Sequence, residues 1–247
     1  MEERKISMEE ITIKINKTAV FAVGALIVGA VLGYSGGVYK SRVSAENTNN
    51  PANNAVLQGD TAGNNQVSPQ ITVTASDHLR GAKNAQVVLV EYSDFQCSYC
   101  KNHNPTMQKI IKEFGNEVAW IYRHYPLSFH QNAQIASEAS ECASEQGKFW
   151  EYADVLFVKG NGDGTGLTPP ELEGYARNLG LNSSQFETCL ASHKYASRVN
   201  ADFASGGAAG VEGTPATILL DNNGNTKLIS GAVSYEELKA EIQAALK

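Results

Sequence analysis

The chain has 247 residues, 42% hydrophobic and 19% charged, a balance that suits a folded protein with a buried core and excludes a wholly disordered one. Its formal net charge of −6, with no Lys/Arg run interleaved with aromatic residues, excludes nucleic acid as an expected partner. Four cysteines, Cys97, Cys100, Cys142 and Cys189, form one close pair and two distant singletons, which permits two disulfides but does not by itself set the redox compartment.

Residues 1–18 include Arg4, Lys5, Lys14 and Lys17, whereas residues 19–39 carry no charge and are rich in Ala, Val, Leu, Ile and Gly. That run is long enough to cross a hydrocarbon layer as a helix, and the polar tract after it supplies no surface that would make it a buried core helix. Only Lys40 and Arg42 follow closely, so the positive-inside bias predicts a single-pass protein of the cell membrane, with residues 1–18 cytoplasmic and the bulk outside. Val43-Ser44-Ala45 resembles a signal-peptidase site, but the length of the run and the flanking charges favour a retained signal-anchor. Gly29, Gly33 and Gly37 recur at a spacing that would let two such helices pack closely. Residues 40–69 are dense in Asn, Ala, Gly and Ser and read as a flexible linker.

From residue 70 onward, strand and helix signals alternate. Residues 86–92 contain Val87-Val88-Leu89-Val90, the pattern of a strand buried on both faces. Met107, Ile110, Ile111 and Phe114 fall at helical spacing, with Gly115 placed to end the helix, and residues 118–122 return as a strand. Ile135, Ala136, Ala139, Cys142 and Ala143 form a helical stripe, and Phe149, Trp150, Ala153, Leu156 and Phe157 form another. Thr168-Pro169-Pro170-Glu171 has the capping Thr, early Pro and Glu of a helix start, and Phe186, Cys189 and Leu190 lie on the next helix. Residues 215–220 and 226–230 read as strands joined by a turn-rich connection. A last helix starts at Ser234, with Glu237 closing a capping box and Val233 stapled to Leu238. The class is α/β, and the surplus of central helices predicts a helical insertion at about residues 128–205 of a domain spanning 70–247.

Cys97 and Cys100 stand between a buried strand and a helix start, where unpaired backbone N–H groups and the helix dipole stabilise a thiolate. Cys97 is nearer those groups and is the expected nucleophile; Cys100, one turn further in, resolves the mixed disulfide. The same spacing is half of a zinc site, with His103 as a conceivable ligand, but the pair lacks a second close ligand pair because Cys142 and Cys189 are isolated. No metal and no cofactor are expected.

The stretch Val88-Leu89-Val90-Glu91-Tyr92-Ser93-Asp94-Phe95-Gln96-Cys97-Ser98-Tyr99-Cys100 resembles the strand and active-site helix start of the DsbA-like branch of the thioredoxin superfamily, of the membrane-anchored bacterial type. Gly147-Lys148-Phe149-Trp150-Glu151 and Gly213-Thr214-Pro215 resemble later signatures of that family, in the same order. The resemblance implies a thioredoxin fold with an inserted helical domain, preceded here by the transmembrane helix and disordered linker. It also implies extracytoplasmic thiol–disulfide exchange and a cis Pro215 facing the dithiol, with the Thr214 backbone pairing with a substrate peptide. A trans Pro215 merely opening an edge strand is the alternative. The family places an acid at Glu91, where partial burial would raise its proton affinity and let it shuttle protons for Cys100; a solvated strand end is the competing reading.

Ser98 and Tyr99 replace the Pro and His of the best-known oxidases, so Cys97 is expected to be less acidic than the roughly 3.5 of the extreme case. Cys142 and Cys189 are expected to form a structural disulfide, the other reading being two free buried thiols. His78, His124, His130 and His193 show no acidic or cysteine partner at metal spacing and read as structural, and residues 161–166 read as a flexible turn rather than a calcium loop. The functional expectation is oxidation of exported polypeptides bearing cysteine thiols, with a redox partner restoring the dithiol and the membrane reached through the N-terminal helix. A reductase or isomerase is the second reading, and a tethered binding or chaperone-like protein is the third.

Overall fold

A computed structural model describes residues 69–247; the N-terminal segment, the signal-anchor at 19–39 and the linker up to residue 68 lie outside the described residues. Among the described residues, no helix is long and apolar enough to cross a membrane.

Strands β1 (His78–Gly81), β2 (Val87–Ser93), β3 (Val118–His124), β4 (Ala216–Asp221) and β5 (Thr226–Ser230) form one sheet in the order β1-β3-β2-β4-β5. The apolar run of β2 takes the central position, parallel to β3 and antiparallel to β4. Alternation then sorts its side chains. Val87 and Leu89 pack with Met107, Ile110 and Trp120 on one face, while Val90 and Tyr92 pack with Ile121, Tyr125 and Ile218 on the other. Glu91 has the parity of Val87 and Leu89, and its register partners are Tyr122 on β3 and Thr217 on β4.

Helix α1 (Ser98–Phe114) connects β2 to β3 and buries Cys100, His103, Asn104, Met107 and Ile110. Pro105 lies inside it, where the missing N–H removes one rung of the helical ladder. Between β3 and β4 stand α2 (Ala133–Ser144), α3 (Phe149–Lys159), α4 (Pro169–Asn178), α5 (Ser183–Ala191) and α6 (Ala196–Ala208). Local chemistry fixes several starts. Thr168 and Glu171 make a reciprocal capping box, and Asn182 accepts from Gln185 N–H at 3.0 Å. Helix α7 (Tyr235–Ala245) closes the chain under a Ser234 cap that accepts from Glu237 N–H at 3.2 Å.

Two elements carry no clear sequence signal. β1 is four residues without alternation, held to β3 by pairing and to α3 by a two-pronged Arg80–Asp154 ion pair at 2.7 and 3.1 Å. α6 contains Gly206-Gly207; a Cβ at Gly206 would stand 2.8 Å from the rings of Tyr92 and Tyr125, so the helix packs there only because the side chain is missing. β4 is flanked by β2 and β5, which corrects the edge-strand alternative for Pro215: the proline precedes an interior strand.

Candidate active site

The end of β2 and the start of α1 are positioned by Asp94. Its buried carboxylate accepts from Gln96 N–H at 2.7 Å, Leu127 N–H at 2.9 Å and the His130 ring at 2.7 Å, while its carbonyl accepts from Cys97 N–H at 3.0 Å. Cys97 thereby becomes the N-cap of α1, its sulfur standing where a capping hydroxyl usually sits, without a formal capping hydrogen bond.

Cys97 and Cys100 are free thiols. Cys97 keeps 5% of its surface exposed and Cys100 none. The Cys97 thiol lies 3.5 Å from the carbonyl of Thr214, which it approaches as donor, and the Thr214-Pro215 bond is cis. Cys100's thiol, the N–H groups of Cys100 and Tyr99 and the Thr214 side chain hold the Cys97 pKa down to about 6 against the opposing effect of burial. Burial and the neighbouring Cys97 sulfur push Cys100 far up. The two sulfurs are thus unequal in the sense the helix-start argument requires. Ser98 and Tyr99 between them face outward, Tyr99 with 67% of its surface exposed.

Glu91 is fully buried, so the solvated strand end does not hold. Neither carboxyl oxygen has a hydrogen-bond partner, and desolvation lifts its pKa to about 7 although the Ser93 hydroxyl and the Trp120 indole oppose the rise. Ser93 was invisible to motif reasoning; its signal is only the two-residue step from Glu91, which puts both on one face of β2. Its buried hydroxyl has no hydrogen-bond partner of its own and favours the ionised forms of Cys100, Glu91 and Tyr122.

A measurable consequence follows for stability. Between about pH 4.5 and 7 the folded protein holds a Glu91 proton that the unfolded chain has released, so stability falls as pH rises through that window, by up to about 3 kcal/mol. Glu91→Gln is expected to lack that slope and to exceed the parent in stability above pH 7, read from urea denaturation at pH 5 and pH 8.

The loop after α3 borders the dithiol and is tied down rather than loose. Lys101 donates to the carbonyls of Val158 at 3.1 Å and Gly160 at 2.9 Å, and to the Asn161 side chain at 3.4 Å. Gln96 donates to the carbonyl of Gly162 at 3.3 Å, and Asn132 donates to that of Gly164 at 2.9 Å. At Gly166, φ is +81° and a Cβ would collide with the Lys159 carbonyl, so this tight turn needs glycine. Three large apolar side chains are exposed on segments joined to this rim: Tyr99, Phe129 and Val158.

Cys142 on α2 and Cys189 on α5 are joined by a disulfide. The histidine reading needs correction, because each of the four has a carboxylate partner in space. His130 pairs with Asp94 at 2.7 Å and His193 with Glu138 at 2.9 Å, while His78 and His124 share one oxygen of Glu141 at 2.8 and 2.9 Å. The ligand atoms of this last group lie within 4.8 Å of one another, and the dithiol with His103 forms no such group among the described residues.

A family model described as Thioredoxin matches residues 73–244. Among solved structures, BdbD from Bacillus subtilis is 25% identical, with 72% of this chain and 96% of that one covered and a TM-score of 0.63. DsbA2 from Pseudomonas aeruginosa is also 25% identical, covering 69% and 95%, with a TM-score of 0.58. A curated protein of Salinispora arenicola, a sodium/proton antiporter NhaA 1, is 36% identical over 170 residues, which is 68% of this chain. The chain spans about a quarter of the length of the curated relatives it matches, 24% in that case.

Proposed function

The chain belongs to the thioredoxin family, and on that premise we propose that it is a thiol–disulfide oxidoreductase that forms disulfides in exported polypeptides, held at the outer face of the cell membrane by residues 19–39. One observation carries the reading: Cys97 caps a helix with its pKa near 6 beside the Thr214 carbonyl, while Cys100 is sealed beneath it with its pKa far above the usual thiol range.

In the oxidised protein a substrate thiolate attacks Cys97 Sγ, a substrate–Cys97 disulfide forms, and Cys100 leaves as a thiolate. Such an anion is unfavourable in its buried seat, and Glu91, a buried acid whose pKa is lifted to about 7, is the group that supplies its proton. A second substrate thiolate then attacks the substrate sulfur and releases the Cys97 thiolate. The substrate loses two electrons, the protein gains them, and a redox partner with a disulfide or quinone accepts them later. The exposed Tyr99, Phe129 and Val158 side chains suit unfolded polypeptide as the visitor.

Alkylation of the reduced protein is expected to titrate one thiol with a midpoint near pH 6 and to leave Cys100 unreacted at neutral pH. The Cys97–Cys100 pair should give an intermediate potential, between the roughly −270 mV of thioredoxin and the roughly −120 mV of the extreme oxidase, by glutathione titration. A Cys97 inert to alkylation at pH 7 would overturn the assignment. A potential below that range, with insulin reduction exceeding oxidative refolding, would favour the reductase reading.

A further inference from the structure

We propose that His78, His124 and Glu141 form a divalent metal site of the zinc class, separate from the dithiol. The three come from β1, β3 and α2 and converge through His78 Nε2, His124 Nε2 and Glu141 Oε1, all within 4.8 Å of one another. Two imidazoles and a carboxylate are a donor set that zinc accepts with a fourth position left for water.

The geometry is close to what the ion needs. Bonds of about 2.0–2.2 Å in a tetrahedron place ligand atoms roughly 3.3 Å apart, so the 2.8 and 2.9 Å separations to Glu141 must open by about half an ångström, while the His78–His124 separation, bounded by 4.8 Å, has to settle to the same value. Ligation uses the Nε2 lone pair of each ring in place of its present hydrogen bond to Glu141. Neither ring has to be ordered by the metal. His78 stacks on Phe149 with 3.5 Å between centroids and 6° between planes, and His124 sits edge-on to Tyr122 and Phe149 at 5.3 and 6.1 Å. Entry is through His78, whose side chain is 12% exposed at the edge strand, while His124 is wholly buried.

Two charged neighbours bear on the site. Arg198 Nε lies 3.9 Å from the ligating Glu141 oxygen and 3.6 Å from Asp202, and its two terminal nitrogens are engaged by Ser76. With Glu141 and Asp202 against Arg198, the surroundings hold one negative charge more than positive and remain compatible with a cation. The bound ion would join the edge strand, the sheet and the helix that carries Cys142, so it should also stabilise the fold.

The test uses the full chain with Cys97 and Cys100 oxidised, so that no thiolate competes. After dialysis against buffered low-micromolar zinc, the parent is expected to retain about one equivalent and to melt at higher temperature than its chelator-treated form. His78→Gln, at the exposed edge, is expected to weaken retention at least about tenfold while leaving disulfide exchange unchanged. Glu141→Gln should do the same, with circular dichroism checking its fold. Cobalt loaded in place of zinc should show a tetrahedral spectrum without a sulfur charge-transfer band. No retained zinc in the parent, or retention equal in parent and His78→Gln, would reduce the cluster to a hydrogen-bonded triad and overturn the proposal. Exchange activity tests the dithiol separately, so the two readings fail independently.

Discussion

Replacing Cys100 by Ala is expected to leave the protein trapped on its partners as mixed disulfides, whereas Cys97→Ser forms none and returns exchange to the buffer's background rate. At pH 7 a thiol with a pKa of about 6 is roughly nine-tenths ionised, some thirtyfold more than a free cysteine near 8.5, but its lower basicity removes about tenfold of nucleophilicity. Attack therefore gains only about two- to threefold, and the larger benefit comes when Cys97 is the leaving group. Stabilising the Cys97 anion also favours the reduced protein, by about 1 kcal/mol once solvent screening is allowed for, equivalent to about 20 mV. That sign makes the pair a moderate oxidant. It cannot make it an extreme one. Non-reducing electrophoresis of acid-quenched samples reads both variants, and adducts formed through Cys100 in Cys97→Ser would reverse the assignment of roles.

The second large effect concerns folding. Cys142 and Cys189 are 47 residues apart and both buried, so their link removes about 4 kcal/mol of unfolded-chain entropy in the loop-closure account. The double variant Cys142→Ala/Cys189→Ala is expected to lower Tm by about 8–16 °C while exchange at 25 °C stays near the parent rate. Calorimetry with a parallel activity assay separates the outcomes: exchange lost at unchanged Tm would give this second disulfide a redox part that its burial argues against.

Much of this was legible in the order of residues. The apolar run before Cys97 reads as a central strand, and Thr168 and Ser234 each declare a helix start through local chemistry; the Asn182 cap escapes that reading. What could not be read is whatever depends on distance across the fold. His78 and Glu141 are 63 residues apart in sequence yet share a hydrogen bond, and no spacing rule anticipates that. β1 exists because β3 offers it an edge, and α6 tolerates Gly206 because two tyrosine rings lean on its backbone. Glu91 was visible as an acid in an apolar strand, but Ser93 gains meaning only through its effect on the ionisation of Cys100 and Tyr122.

Lys101 leads to a last consequence. By gripping three acceptors at the end of α3, it locks the loop after α3 to the helix that bears the sulfurs. If the chain exchanges disulfides as proposed, the nearly covered Cys97 beside that fixed loop disfavours a folded visitor with a rigid loop. Choice among clients would then fall to their own slackness, in favour of a cysteine on a stretch loose enough to be drawn out into single file.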